Sequence, residues 1–373
     1  MRVLHIFPSP HLGGSELCAL ESIKSLTKLG VENYAILPIS GDVENRLRQL
    51  KVEYQVVPNN WWMSAQSWKV SLKLIMLKGF YSASKKICTY INEQGIDVVI
   101  THTIVIPSGA IAAKRASKPH IWYLHEYGDL DHQLQFEYGK TISLTIINAL
   151  SKKIIVNSSA LKKHFSKYIP SEKINKVNYA VCYPEFGTVN ANNSEQLTIC
   201  MVGRIAKGKN QLVALKALAQ LKTQHIFPLL YFVGGADNKY LAELNTYIEQ
   251  HKLEDQVVFA GQTDQPWEFV LRSEIVLVCS LMEAFGRVSV EGMKAGRILV
   301  VSNTGAGAEL IQDKESGYLF EPENEQQLAS ILKDIWIQKD YSVMTTKAKQ
   351  FAIDHFNLAS HGQDLLNRIK EIL

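Results

Sequence analysis

The sequence carries few of the marks that assign a protein to a class at sight. None of its apolar runs approaches the ~18–20 residues of a membrane span. Its five cysteines, Cys18, Cys88, Cys182, Cys200 and Cys279, are scattered and include no C-x-x-C pair, which reads as buried, reduced thiols in a cytosolic protein. Net charge is only +4 over 373 residues, so bulk electrostatics gives no sign of a nucleic-acid partner. There is no low-complexity tract and no repeat of solenoid type. The opening, MRVLHIFPSP, reads as a strand rather than a signal peptide. The dinucleotide fingerprint G-x-G-x-x-G is missing after the first strand, and Gly305-Ala306-Gly307 lacks a third glycine, which weighs against a dehydrogenase.

What is present is a β-α rhythm that runs, stops and restarts, in a chain long enough for two domains. Apolar runs at 3–7, 34–37, 54–57, 98–100, 121–124 and 153–156 read as strands. Helices alternate with them: one from Ser15 as N-cap to a stop at Gly30, then 42–50, 66–93 with room for a kink near Gly79, and 107–114. Asn157-Ser158 reads as the cap of a helix after the last of these strands. Residues 185–196 are Gly/Asn/Ser-rich and read as a linker. Beyond it, strands at 197–202, 229–233, 257–260, 275–279, 298–301 and 318–320 alternate with helices at 210–222, 238–251, 265–272, 287–295 and 306–312, with Asn210 and Asp264 as caps. The tail is helical from 325, with a break near Asp340. The fold class is therefore α/β: two Rossmann-like doubly wound domains, 1–184 and 197–352, facing each other across a cleft. Residues 353–373 form a C-terminal helix that can cross back to the first domain.

The densest cluster of candidate residues is the stretch 280–296, SLMEAFGRVSVEGMKAG. It follows an apolar strand and becomes a short packed helix, the geometry that puts a ligand at the carboxyl ends of parallel strands. Gly286 permits close approach of a ligand to the backbone, and the N–H groups of Gly286, Arg287 and Val288 face an anion at the helix start. Glu283 and Glu291 bracket seven residues; Glu315 and Glu323 share the spacing but lie in a Gly/Pro loop with no helix start between them, which reads as chance. Gly203-Arg204-Ile205-Ala206-Lys207-Gly208-Lys209-Asn210 is a second strand-to-helix turn, suited to a diphosphate. It has the glycine spacing of a P-loop, but Asn210 stands where Ser or Thr would hold magnesium. Glu291, one helical turn past the anion-binding start, could accept two hydrogen bonds from a ribose diol, or it could be an exposed glutamate favoured by the helix dipole. Gly13-Gly14 occupies the matching turn of the first domain, where it suits either a ligand's approach or simply a loose turn. His125 closes a strand at a ligand-binding edge; His102, ending the preceding strand, is the weaker candidate.

With these residues in place, the chain resembles the retaining nucleotide-sugar glycosyltransferases of the GT-B fold, family four (glycosyl transferases group 1). The resemblance rests on Gly13-Gly14-Ser15-Glu16, His125-Glu126, Val156-Asn157-Ser158, the Gly203-Arg204…Lys209 turn, Phe259-Ala260-Gly261, Glu283-x7-Glu291 and Gly305-Ala306-Gly307-Ala308-Glu309, in that order. It implies transfer of a sugar from a nucleoside diphosphate to a hydroxyl of a glycan or lipid-linked glycan, as in the synthesis of cell-surface polysaccharides. Arg204 and Lys209 would hold the donor diphosphate and Glu291 the ribose. Glu283 would contact the donor sugar near the reacting carbon, with Phe285, Gly286, Arg287 and Val288 gripping sugar and phosphate through their amides. Gly13 and Gly14 would contribute from the first domain, and His125 would lie against sugar and acceptor. The resemblance further implies retention of configuration by same-face attack, with no metal or other cofactor. Asn210 and Ala306 depart from the family pattern without removing a charged group.

Other readings of the same chain are a nucleotide-sugar epimerase, a non-catalytic sugar-nucleotide sensor, and a metal-dependent hydrolase built on Asp129-Leu130-Asp131-His132. Residues 61–90 carry Trp61, Trp62, Trp68 and five lysines without an acidic residue. Such a segment can seat on an anionic bilayer, which would make a cytoplasmic protein peripheral at the inner face of the cell membrane. It can equally be a helix whose Leu74, Leu77 and Tyr81 pack on the sheet.

Overall fold

A computed structural model describes residues 1–184 and 196–373. The stretch read as a linker lies, apart from Gln196, outside the described residues. The chain divides into two compact units, Met1–Cys182 with Phe356–Leu373, and Tyr183–His355.

The first unit runs β1 (Arg2–Ile6), α1 (Gly14–Lys28), β2 (Glu32–Leu37), α2 (Asp42–Gln49), β3 (Glu53–Val56), β4 (Met63–Ser64), α3 (Val70–Glu93), β5 (Val98–His102), α4 (Ser108–Arg115), β6 (His120–Leu124), β7 (Gln135–Phe136), α5 (Lys140–Leu150), β8 (Lys153–Val156), α6 (Ser159–Phe165) and β9 (Ile174–Lys176). Seven strands form one parallel sheet in the order β3-β2-β1-β5-β6-β8-β9, and β4 pairs antiparallel with β7 beside it. Helices cover both faces, so strands such as β5 and β6 are buried at every residue, and their sequences are near-continuous apolar runs rather than alternating ones. The second unit runs β10 (Thr198–Val202), α7 (Gln211–Thr223), β11 (Leu229–Val233), α8 (Asn238–His251), β12 (Val257–Gly261), α9 (Trp267–Arg272), β13 (Ile275–Val278), α10 (Arg287–Lys294), β14 (Ile298–Ser302), α11 (Gly307–Leu310), β15 (Tyr318–Phe320), α12 (Glu325–Gln338) and α13 (Ser342–His355). Its six parallel strands lie in the order β12-β11-β10-β13-β14-β15. The last helix, α14 (Leu358–Lys370), belongs to the first unit. It is docked there by His361, whose Nδ1 donates to the Asn178 carbonyl at 2.7 Å and whose Nε2 meets the Ser22 hydroxyl of α1 at 2.9 Å. In each sheet the strand order reverses beside the first strand, between β1 and β5 and between β10 and β13; open α/β sheets bind ligands at such reversals.

Several local expectations need correction. Ser15 does not cap α1: Gly13 flanks the helix with its N–H donated to the His11 carbonyl at 3.1 Å, and the Ser15 hydroxyl donates to the carboxylate of Glu16. Asn210 adopts a left-handed conformation and makes no cap bond, and Pro266 rather than Asp264 flanks α9. The tail breaks near Asn357 as well as near Asp340. Cys182 is exposed and Cys88 only partly buried, so the buried-thiol reading holds for Cys18, Cys200 and Cys279. α3 starts at Val70 and not at 66, because the Glu137 carboxylate accepts the Trp68 N–H and the Ser64 hydroxyl and holds the preceding segment extended. Leu74 and Tyr81 are both 58% exposed. Like Leu77, they are not buried; the buried residues of α3 include Phe80, Ala83, Ile87 and Ile91, and the helix packs against α4. Trp62 is buried, stacked on Trp122 at 5.8 Å, and Trp61 donates its indole N–H to the Pro8 carbonyl, so both serve the fold.

Candidate active site

In the second unit, the loops after β10 and β13 meet at the reversal of strand order. Gly203 has φ +140 and Gly234 φ +148, and a Cβ on Gly234 would lie 2.3 Å from the Gly203 carbonyl oxygen, so the turns after β10 and β11 touch backbone to backbone. The turn after β10 is then held by Ile205 N–H to the Gly235 carbonyl and by Leu281 N–H to the Gly208 carbonyl, at 2.8 and 2.9 Å. The second bond ties it to the segment after β13. Lys209 consequently reaches Glu283, Nζ to Oε2 at 3.0 Å, and the Ser280 hydroxyl donates to the same oxygen at 2.7 Å. Lys207 points elsewhere, to Glu243 at 3.4 Å. Arg204 is exposed, and no ion pair engages it among the described residues.

Glu283 is fixed from behind as well. Its carbonyl accepts the Ala306 N–H at 2.8 Å, and Gly305, φ +51, comes so near that a Cβ there would sit 2.1 Å from that carbonyl oxygen. Gly286, φ +87, turns the chain into α10. Phe285 and Gly286 are buried, while Arg287 and Val288 are half-buried on the first turn, where main-chain N–H groups have no intrahelical acceptor. Glu291 lies one turn further on and pairs with Arg287, Oε1 to Nε at 2.9 Å. Both glutamates of the motif are thus matched to cations. This corner holds two carboxylates, three cations and a helix start within three adjacent loops, an arrangement suited to a ligand with both an anionic group and hydroxyls. The two ion pairs join residues that sequence reasoning treated singly.

In the first unit, Gly13 and Gly14 are exposed at the start of α1, and a Cβ on Gly14 would meet nothing within 4 Å. His125, just past β6, is buried, and both its ring nitrogens are occupied: Nε2 meets His102 Nδ1 at 3.0 Å and Nδ1 meets the Tyr179 hydroxyl. His102 in turn meets His5 at 2.9 Å. Burial pushes His125 down to about 3, with His361 adding to the effect, and His5 down to about 4; it also lowers His102. Glu126, buried beside it, is pushed up to about 7 by desolvation, against hydrogen bonds from the Thr103 hydroxyl and the Ile104 N–H. Asn157 and Tyr179 escaped notice as partners of His125, and His5 as the partner of His102. Three histidines at the carboxyl ends of three neighbouring parallel strands was the available signal. The D-x-D carboxylates are engaged in the local turn: Asp131 accepts the N–H groups of Tyr127 and Gly128, and Asp129 pairs with Lys140 at 2.6 Å.

Residues 184–351 match the family model described as glycosyl transferases group 1. An N-acetylgalactosamine-N,N'-diacetylbacillosaminyl-diphospho-undecaprenol 4-alpha-N-acetylgalactosaminyltransferase of Campylobacter jejuni is 32% identical over 159 residues, 41% of this chain and 42% of that protein. A lipopolysaccharide 1,2-N-acetylglucosaminetransferase of Salmonella typhimurium is 27% identical over 237 residues, 58% of this chain and 62% of that one. These matches therefore span less than two thirds of either relative. The crystal structure of the Anabaena protein HepE in complex with UDP superposes with a TM-score of 0.80 at 21% identity, covering 100% of both chains. The chain has the GT-B fold, two Rossmann-like units each built on a parallel sheet, and from 184 to 351 it carries the sequence pattern of group 1 glycosyl transferases.

Proposed function

We propose that the protein is a retaining glycosyltransferase that moves a sugar from a nucleoside diphosphate to a hydroxyl of a glycan or lipid-linked glycan, without a metal. The observation that carries this reading is the convergence of Lys209, Glu283 and the start of α10 at the strand-order reversal of the second unit. In this reading Arg204, Lys209 and the amides of Phe285 to Val288 bind the diphosphate, Glu291 the ribose diol and Glu283 the sugar. Gly13 and Gly14 bind the donor from the first unit, and His125 lies against the transferred sugar and the acceptor. As the glycosidic bond breaks, negative charge builds on the leaving diphosphate. Fixed cations and a helix start aimed at it are worth more in the transition state than in the ground state. The UDP in the HepE complex, and the diphospho-undecaprenol-linked glycan named for the Campylobacter relative, support the choice of donor and acceptor class.

Contact with a membrane would fit a lipid-linked acceptor. No helix among the described residues is long and apolar enough to cross a membrane. The amino-terminal half of α3 instead exposes Val70, Leu74, Ile75, Leu77 and Tyr81 beside Lys69 and Lys78. The first unit carries 24 Lys and Arg against 15 Asp and Glu, the second 16 against 21, so an anionic lipid surface attracts the first. We place peripheral contact of a cytoplasmic enzyme on this helix face.

The test is incubation with a panel of UDP- and GDP-sugars, with and without a lipid-linked glycan, with and without a chelator. Acceptor-dependent release of nucleoside diphosphate, unchanged by chelator and with the anomeric configuration kept, is the expected result. Isomerised donor without acceptor would indicate an epimerase, and binding without turnover a sensor.

A further inference from the structure

Glu126 lies two residues past β6, beside His125, at the carboxyl edge of the first unit's sheet, and is only 7% exposed. One of its two carboxylate oxygens is fully used. Oε1 accepts the Thr103 hydroxyl and, at 2.7 Å, the Ile104 N–H. These bonds hold a strained turn, since Thr103 is β-branched and has φ +102. The turn is gripped independently as well. Thr103 donates its N–H to the Tyr123 carbonyl at 2.8 Å, the Trp122 indole donates to the Thr103 carbonyl at 2.6 Å, and the Trp62 indole to the Ile104 carbonyl at 2.7 Å. The carboxylate is thus fixed in place by rigid neighbours. Its other oxygen, Oε2, has no hydrogen-bond partner among the described residues. It is not sealed in the interior as the orphan His120 Nδ1 is.

A clamp alone does not call for a charge. A glutamine carbonyl would accept the same two hydrogens without the cost of burying an anion. No cation offsets that cost: among the described residues no Lys or Arg pairs with Glu126, and the charged groups that act on it, Asp131 and Glu16, are themselves acids. Desolvation accordingly pushes its carboxyl up to about 7. A buried carboxylate with one oxygen unused and no counter-charge, at a ligand-binding edge, marks a group kept for a ligand. Its surroundings narrow the ligand's chemistry. An anion would meet three carboxylates. A metal ion would lack further ligands, because no group of three or more His, Cys, Asp or Glu among the described residues could hold one. A neutral hydroxyl fits, since a carboxylate oxygen accepts its hydrogen.

We infer that Glu126 Oε2 accepts a hydrogen bond from a hydroxyl of the acceptor glycan, while Oε1 holds the turn after β5. The identity of that glycan as acceptor rests on the transferase reading, in which Lys209 and Glu283 hold the donor in the second unit. Glu126→Gln separates the two duties. Its amide oxygen keeps both bonds to the turn, and its NH2 group sets hydrogens where Oε2 accepted one. Saturation-transfer NMR on the full chain, titrated with methyl glycosides of the common hexoses and N-acetylhexosamines, reads sugar binding without turnover. At least one glycoside should bind the unmodified protein saturably. The Gln variant should bind it roughly tenfold more weakly, with its melting temperature within a degree or two of the parent. No glycoside bound by the unmodified protein, or equal affinity in the two proteins, overturns the inference. In acceptor-dependent transfer, the variant's KM for the acceptor should rise by a similar factor, while nucleotide affinity and acceptor-free hydrolysis of the donor stay as in the parent. An equal loss of donor hydrolysis would move the contact to the donor sugar and contradict the assignment. Absence of transfer by the unmodified protein would instead refute the transferase reading, and the binding titration would still decide whether Glu126 holds a sugar.

Discussion

Lys209 and Glu283 illustrate how a charge pair can matter little for folding and much for chemistry. The Lys209 side chain is 40% exposed, and a pair so open to solvent contributes at most a fraction of a kcal/mol to stability. Lys209→Ala should therefore leave the melting temperature within a degree or two while slowing sugar transfer by on the order of 10²–10³, the usual cost of removing one preorganised transition-state donor. Thermal denaturation and steady-state kinetics on the same preparation separate the two effects. Glu291 is the converse case, a group expected to act on binding. Glu291→Ala should raise the dissociation constant for the nucleoside diphosphate by roughly ten- to a hundredfold, as loss of hydrogen bonds to a charged group does. Calorimetry showing unchanged affinity would remove Glu291 from the donor site. At this scale the sequence named the side chains but not their pairing: Lys209 and Glu283 are 74 residues apart, and only the turn after β10 and the segment after β13, bonded to each other, bring them together.

Among elements, the parallel strands were legible because burial on both faces writes them as continuous apolar runs. The strands β4, β7 and β9 were not, since they are two or three residues long and, unlike β15, contain no apolar run. α5 was missed as well; its sequence KTISLTIINAL is rich in β-branched residues and carries no cap signal. The start of α3 could not be placed because its preceding segment is held by Glu137, some seventy residues on. Turns were legible at their glycines but not in their reasons: Gly286, read for the approach of a ligand, has φ +87 at the turn into α10, and Gly305, read only within the resemblance, has φ +51 and lies against the Glu283 carbonyl. Gly305→Ala would drive a methyl into the Glu283 carbonyl in a left-handed backbone, so the 303–307 loop must move. The expected cost is ~1–3 kcal/mol of stability together with loss of donor affinity, read by urea denaturation and calorimetry. A variant as stable as its parent and binding as tightly would show that this loop does not support Glu283.

For the whole molecule, the buried histidines of the first unit set its response to acid. In the unfolded chain each takes up a proton near 6.5; folded, His5 does so only near 4 and His120 and His125 near 3. Between those values the unfolded state binds more protons, so stability rises with pH and is lost as pH falls below 6.5. Glu126, raised to about 7, works in the opposite direction between 4.5 and 7, but it is outnumbered. Urea midpoints should thus fall steadily from pH 7 to pH 5. Flotation with vesicles offers a separate check at this scale: binding to anionic but not neutral lipid, weakened by Leu74→Ser with Tyr81→Ser, is expected if α3 meets the membrane. The most direct test of the central claim is calorimetric titration of the full chain with UDP and with GDP, repeated on Lys209→Ala and Glu291→Ala. Saturable binding of at least one nucleotide, weakened in both variants, is the predicted result; no binding of either, or affinity equal in all three proteins, would contradict it.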